Sequence, residues 1–310
     1  MRHFVALDCA QVDLRMRRTA PTSEHMMTTN RRAVMQGIGA AALLAPMITV
    51  QRAAAAAEPV KVSADMTNDA DHMQRMADVL GPGLTGKEQV AMLLYPGFTA
   101  LDLVGPQYFF ACMLGATVDL VTTEPDLAPV RSDLGLAIVP TVTMANAPRD
   151  LDILFVPGGT DGTMNAMQRK DVIAFIADRG SRAKHVTSVC TGSMILGKAG
   201  LLKGKRATSH WLARPVLVEF GATAVDARVV TDGNVTTGAG VSAGLDFGIA
   251  VVEALRGKPY AASLMLQAEY HPEPPFAGGT LATTDPAVGA MMKEMFAPVA
   301  DRFRAIANER

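Results

Sequence analysis

Aromatic side chains are scarce. They make up 5% of the 310 residues, with a single tryptophan, Trp211. That is too few for the stacked aromatic platforms that bind single-stranded nucleic acid. Cysteine is scarce too: Cys9, Cys112 and Cys190, none at C-x-x-C spacing. Three cysteines in so long a chain exclude a disulfide framework. The six histidines contain no H-x-x-x-H pair, so no metal site is expected. Charge of one sign is also lacking. Twenty-nine basic residues stand against 30 acidic ones, with no basic cluster, so no nucleic-acid partner is expected. No internal repeat appears, and no helix-turn-helix pair follows the core. What is abundant is apolar: 49% of the residues, including 19 methionines. That suffices for a well-filled core.

The N-terminal region differs from the rest. Arg31-Arg32 precede an uncharged stretch, residues 33–50, and then Gln51-Arg52 and a run of alanines ending at Ala57. Positive head, apolar middle and small-residue cleavage site are the order of an export signal. The adjacent arginines are those of the twin-arginine type, although Val34 stands where an aromatic is usual. Residues 1–57 are therefore read as an export signal cut near Ala57, delivering the protein to the periplasm. The competing reading is a short membrane span, against which Gln36, Gly37, Gly39 and Pro46 argue. No stable membrane insertion is expected after cleavage. The signal region holds seven of the basic and three of the acidic residues. Its removal leaves 22 basic and 27 acidic residues and a net charge of −5.

Residues 58–88 read as a linker with one short helix near 72–80. Beyond them strand and helix patterns alternate. The apolar run 90–95, stopped by Pro96-Gly97, is a strand buried on both faces. Residues 101–114 form a helix, in which Pro106 is acceptable only near the first turn. Further strands are read at 116–122, 153–156, 185–189, 206–208, 229–231 and 234–237, and further helices at 171–179, 193–202 and 243–256. Segments 136–140 and 141–144 read as a hairpin or small edge element. The alternation predicts a doubly wound, flavodoxin-like α/β fold: a mainly parallel sheet sandwiched by helices, with its site beyond the C-terminal strand ends. A last helix starts at Asp285-Pro286 and repeats Val288, Met292, Met295, Val299, Phe303 and Ile306 at helical spacing. The stripe packs either on the domain itself or across a dimer; the sequence leaves both open.

Cys190 is the candidate nucleophile. It follows the apolar strand 185–189 and precedes Thr191-Gly192-Ser193 and a helix. Strand, nucleophile, glycine and helix are the parts of a nucleophile elbow. The helix N-terminus would favour a thiolate there. The bland alternative is an inert buried thiol, which is the reading for Cys112 among Phe109, Phe110 and Met113. Thr191 could steady an intermediate through its hydroxyl or its N–H. Asp102 lies just after the first strand, where a carboxylate is either a helix N-cap or an acid/base; spacing alone does not decide. Gly158 and Gly159 follow another strand and either admit backbone to a pocket or make a tight turn. His210 is the histidine placed to reach Cys190, as a base or as a structural neighbour. Trp211 is read as pocket wall or core. Gly238, Gly240 and Gly244 are spaced G-x-G-x-x-x-G at the end of the domain and lack the acidic partner of a dinucleotide site, so no NAD is expected.

Six of these segments, in order, resemble the DJ-1/PfpI superfamily of glutamine amidotransferase-like proteins. Pro96 with Leu101–Pro106, Val156-Pro157-Gly158-Gly159-Thr160 and Cys190-Thr191-Gly192-Ser193 carry the superfamily resemblance. Thr208-Ser209-His210-Trp211, residues 237–246 (including Gly240 and Val241) and Gln267-Ala268-Glu269-Tyr270 resemble its isocyanide hydratase branch. The likeness runs over roughly residues 90–279. It implies a hydro-lyase: a homodimer without metal or organic cofactor that hydrates an isocyanide to an N-substituted formamide. Cys190 would be its nucleophile, passing through a thioimidate, and Asp102 its acid/base. The loop with Gly240 and Val241 would border the thiol. Thr191 departs from the histidine that PfpI-type peptidases carry, and Asp102 from the glutamate of DJ-1-like members. The domain is read as residues 89–280, with a C-terminal helix in 281–310. Two rivals stand beside this reading: a glyoxalase- or deglycase-like enzyme of the same superfamily acting on reactive carbonyls, and a non-enzymatic ligand-binding domain.

Overall fold

The apolar run after residue 88 becomes the middle of a seven-stranded sheet. The computed structural model describes residues 70–309. The export signal read in residues 1–57 lies outside them. Strand β1 (Gln89–Leu94) pairs in parallel with β2 (Thr117–Thr122) on one side and with β6 (Ile153–Val156) on the other. Beyond β6 come β7 (His185–Val189), β11 (Val235–Gly238) and β10 (Val229–Asp232); beyond β2 comes β5 (Val142–Thr143). All neighbours run parallel except β10 against β11. β1 and β6 are buried along nearly their whole length. That explains why both read as continuous apolar runs and not as alternating ones.

Two groups of helices cover the sheet. α2 (Ala100–Ala111), α6 (Ala243–Arg256) and α7 (Lys258–Gln267) pack together, with α1 (Ala70–Leu80) against α7. α3 (Asp161–Gln168), α4 (Lys170–Gly180), α5 (Gly192–Lys198), a 3-10 helix (Arg214–Phe220) and α8 (Pro286–Asn308) form the second group. The rings of Phe110, Phe155 and Phe247 join the sheet to the first group, with centroids 5.6–6.3 Å apart.

Several details differ from the sequence reading. Segments 136–140 and 141–144 do not pair with each other. β4 (Ala137–Ile138) joins β3 (Val130–Arg131) in a separate ribbon, while β5 joins the edge of the main sheet. α3 and α7 were not foreseen, because polar and small residues blur the helical period in both. Pro106 sits in the middle of α2, beyond its first turn. Residues 81–88 lie against the domain: Leu84 is buried, and Arg256 holds Glu88 through Nε–Oε1 at 2.7 Å and donates to the Gly83 and Leu84 carbonyls.

The C-terminal stripe divides in two. Val299, Phe303 and Ile306 are buried on the domain, Met292 is half-buried, and Val288 and Met295 are exposed. Lys198 Nζ closes the end of α8 by donating to the carbonyls of Ile306 (2.8 Å) and Glu309 (2.6 Å). A cation meets the negative end of the helix dipole there.

Candidate active site

In the strand order, the chain steps to one side of β1 for β2 and to the other for β6. A crevice opens above such a switch point, at the C-terminal strand ends. Val156 stands opposite Ser188, and Val189 opposite Gly238. The residues after β6, β7 and β11 therefore emerge side by side, with those after β1 adjacent. This register brings Asp102, Gly158, Cys190 and Val241 to one place from four distant parts of the chain.

Cys190 has φ of 58°, in the left-handed region that a residue with a Cβ seldom occupies. The conformation costs about 1–3 kcal/mol and needs support. Four hydrogen bonds supply it. The Cys190 N–H donates to the carbonyls of Gly238 (3.1 Å) and Ala239 (2.7 Å). Its carbonyl accepts from the hydroxyls of Ser193 (3.0 Å) and Ser209 (2.9 Å). Only glycine fits at 192, since a Cβ there would strike the Val156 and Pro157 carbonyls. This is the strained strand-to-helix elbow that the sequence implied.

Asp102 is fully buried in the first turn of α2. Thr99, not Asp102, occupies the N-cap position, so the capping role is ruled out. Asp102 Oδ2 accepts the Gly158 N–H at 3.0 Å, while Oδ1 is buried without a hydrogen-bond partner among the described residues. Burial raises the carboxyl to about 7; the neighbouring Cys190 thiol and the Gly158 N–H pull it down, and the Asp133 charge pushes it up. The Cys190 thiol is raised well above its usual range, first by burial and then by the Asp102 charge, while the Thr191 N–H lowers it. The thiolate expected from the elbow and helix terminus alone is therefore not the resting form. In this closed site desolvation outweighs the helix dipole. The pair rests as a neutral thiol beside a carboxyl that titrates near neutrality.

Thr191 is held by the glycine turn. Its hydroxyl donates to the Gly159 carbonyl, accepts the Gly159 N–H at 2.9 Å and lies 3.0 Å from Thr163 Oγ1. The hydroxyl thus braces the 157–159 turn, and both it and the Thr191 N–H pull the Cys190 thiol down. Tyr95 extends the network: its hydroxyl donates to the Pro157 carbonyl (2.8 Å) and lies 2.9 Å from Thr163 Oγ1. Ser209 belongs to the 208–211 motif, whereas no local pattern marks Tyr95 or Thr163, which are recruited from distant elements.

His210 lines the same cavity as Cys190. Burial, with the Arg214 charge, lowers it to about 4, so it is neutral at physiological pH. The Leu212 N–H approaches its Nδ1 at 3.5 Å. Gly240 makes room for it, since a Cβ there would lie 2.8 Å from His210 Cδ2. Trp211 stands behind His210, ring centroids 5.5 Å apart, and is not itself part of the lining. The cavity measures about 490 Å³. Cys190, Thr191, Gly159 and Thr160 reach it from the elbow and the 157–160 turn. Leu101, Leu134 and Leu136 line it from α2 and the 132–136 loop, and Leu212, Val241 and Phe296 from the C-terminal third. No group of three His, Cys, Asp or Glu side chains among the described residues could hold a metal.

The family pattern described as DJ-1/PfpI matches residues 88–254, which contain the elbow, Asp102 and the glycine turn. The chain belongs to the DJ-1/PfpI family. The isonitrile hydratase of Pseudomonas putida is 43% identical over 210 residues, 68% of this chain and 90% of that protein. A deglycase of Pyrococcus horikoshii is 34% identical over 87 residues, 28% of this chain and 52% of its own. The crystal structure of a ThiJ/PfpI family protein from Pseudomonas syringae is 51% identical, with a TM-score of 0.73 over 76% of this chain and 95% of that one. The doubly wound, mainly parallel sheet is thus the fold of this family.

Proposed function

We propose that the protein hydrates an isocyanide to an N-substituted formamide without a cofactor, using Cys190 and Asp102. The observation that carries this reading is the buried pair itself: the Cys190 thiol beside the Asp102 carboxyl, whose Oδ1 has no hydrogen-bond partner among the described residues. The 43% identity to an isonitrile hydratase supports it. The terminal carbon of R–N≡C must gain one proton and one nucleophile. The Cys190 thiol supplies both when Asp102 takes its proton and passes it to that carbon. A C–S bond forms, and the product is the thioimidate R–N=CH–S–Cys. Asp102, again a carboxylate, then takes a proton from water as the oxygen attacks the same carbon and passes it to the nitrogen, giving R–NH–CH(OH)–S–Cys. Collapse breaks the C–S bond, the hydroxyl proton goes to the departing sulfur, and R–NH–CHO is released. The Thr191 N–H, which favours negative sulfur, assists both the addition and the departure.

A carboxyl near 7 suits a group that must give and take a proton in one cycle. A low-pKa thiolate, as attack on a reactive carbonyl requires, fits the buried Cys190 less well. The test is turnover of methyl isocyanide with detection of the formamide. Cys190→Ala should abolish it, and Asp102→Asn should lower kcat by about 10²–10⁴-fold. An intact wild type that leaves isocyanides untouched but converts methylglyoxal to lactate would overturn the assignment in favour of the carbonyl chemistry.

The twin arginines and the apolar stretch that follows support export to the periplasm, and the exposed Leu101, Val104 and Tyr108 on α2 support a homodimer. Fractionation and the solution mass test these two points. No helix among the described residues is long and apolar enough to cross a membrane.

A further inference from the structure

The cavity is larger and more apolar than the reaction alone requires. The N≡C group has two heavy atoms, whereas the space above Cys190 measures about 490 Å³. Most of it therefore receives the R group. Part of its wall comes from α8, outside the residues that the family pattern matches. Phe296, on α8, lines the cavity, and its ring meets the edge of Trp211 at 5.9 Å and 90°. Trp211 lies against His210 at 5.5 Å, and His210 lines the cavity again. Three rings thus run continuously from the C-terminal helix to the neighbourhood of the thiol.

This wall is fixed. Below Phe296, α8 is anchored by the buried Val299, Phe303 and Ile306. Arg302 pairs with Asp161 at 2.9 Å, one residue after Thr160 of the cavity lining. Lys198 closes the helix end. His210 is neutral and presents an edge without charge. Leu212 and Val241 complete an apolar surface.

We infer that Phe296, backed by Trp211, forms a specificity subsite for a bulky apolar R group, preferably an aryl ring, at the hydration site. An aryl ring would pack offset or edge-on against Phe296, contacts that a methyl group cannot reach. The inference rests on the hydratase reading for its substrate, but not for the subsite. Contacts of this kind separate substrates by about tenfold or more.

The test compares benzyl with methyl isocyanide, as the ratio of kcat/KM values. The wild type should favour benzyl, and Phe296→Ala should lower the ratio by about tenfold. Phe296→Leu keeps an apolar anchor on α8 and should lower it by less; it decides the matter if the alanine variant fails to fold. A ratio that either folded variant leaves unchanged overturns the subsite. If the wild type converts neither isocyanide, the hydratase reading fails by itself. The subsite is then read from alkylation of Cys190 by N-benzyliodoacetamide against iodoacetamide. Preference for the benzyl reagent that Phe296→Ala removes upholds it, and equal rates in both proteins overturn it.

Discussion

At Gly158 the backbone passes between the Asp102 and Cys190 side chains. A Cβ added there would stand 2.6 Å from Asp102 Oδ2, 2.7 Å from Cys190 Cβ and 2.7 Å from Thr191 N. Each distance falls about 1 Å short of ordinary contact. None of the three neighbours can swing aside. Asp102 is fully buried, Cys190 is pinned by four hydrogen bonds at a left-handed φ, and the third atom is backbone. Gly158→Ala must therefore displace the thiol or the carboxylate by something near that distance. A misplacement of about 1 Å costs on the order of 10²-fold in rate. Overpacking adds a loss of about 1–3 kcal/mol in stability, small enough to leave the protein folded. The control is Gly278→Ala, where an added Cβ meets nothing within 4 Å. Formamide release reports the rate, and iodoacetamide alkylation of Cys190 reports the thiol whatever the substrate. Activity of Gly158→Ala within about threefold of the control, against the loss of about 10²-fold, would refute the packing argument.

Further outcomes concern charge and the C-terminal helix. Asp102 has a folded pKa of about 7 against 3.8 in the unfolded chain. The folded state then holds its proton more tightly, so this group's contribution is complete below about pH 4 and is lost as the pH rises through 7. The whole displacement corresponds to about 4 kcal/mol. Asp102→Asn should flatten the fall in stability between pH 4 and 8 measured by calorimetry; parallel slopes would contradict the reasoning. The same variant removes the charge that raises the thiol, so its pH profile of alkylation should move to lower pH; a move to higher pH would count against the pairing. Phe303→Ala should cost about 3–5 kcal/mol, because the ring is fully buried. Met291→Ala on the exposed half should stay within about 0.5 kcal/mol in chemical denaturation. Equal losses would mean that the upper half of α8 is buried in solution.

How much was legible depended on how local the cause was. The run before Tyr95 and the four residues of β6 are buried on both faces, and continuous burial leaves a continuous apolar pattern. The elbow was legible because strand, cysteine, glycine and helix are adjacent in the chain. α3 and α7 were not, since their helical state comes from packing and not from a clean period. The N-cap reading of Asp102 failed by three residues: α2 starts earlier, which turns the carboxylate inward to Gly158.

By itself the sequence determined the family, the alternation of strand and helix, the elbow that carries Cys190 and the likeness to a hydratase. Each of these is carried by neighbouring residues or by motifs in order along the chain. Only the tertiary structure decided the protonation of the site. A thiol at a helix N-terminus reads as a thiolate until the surrounding walls are known; here they remove the water that would solvate the charge. It also decided that the Thr191 hydroxyl braces a turn, that His210 is neutral, and that half of the last helix docks on the domain while Phe296 reaches the cavity. These are properties of contacts between residues distant in the chain, and desolvation depends on all of them at once.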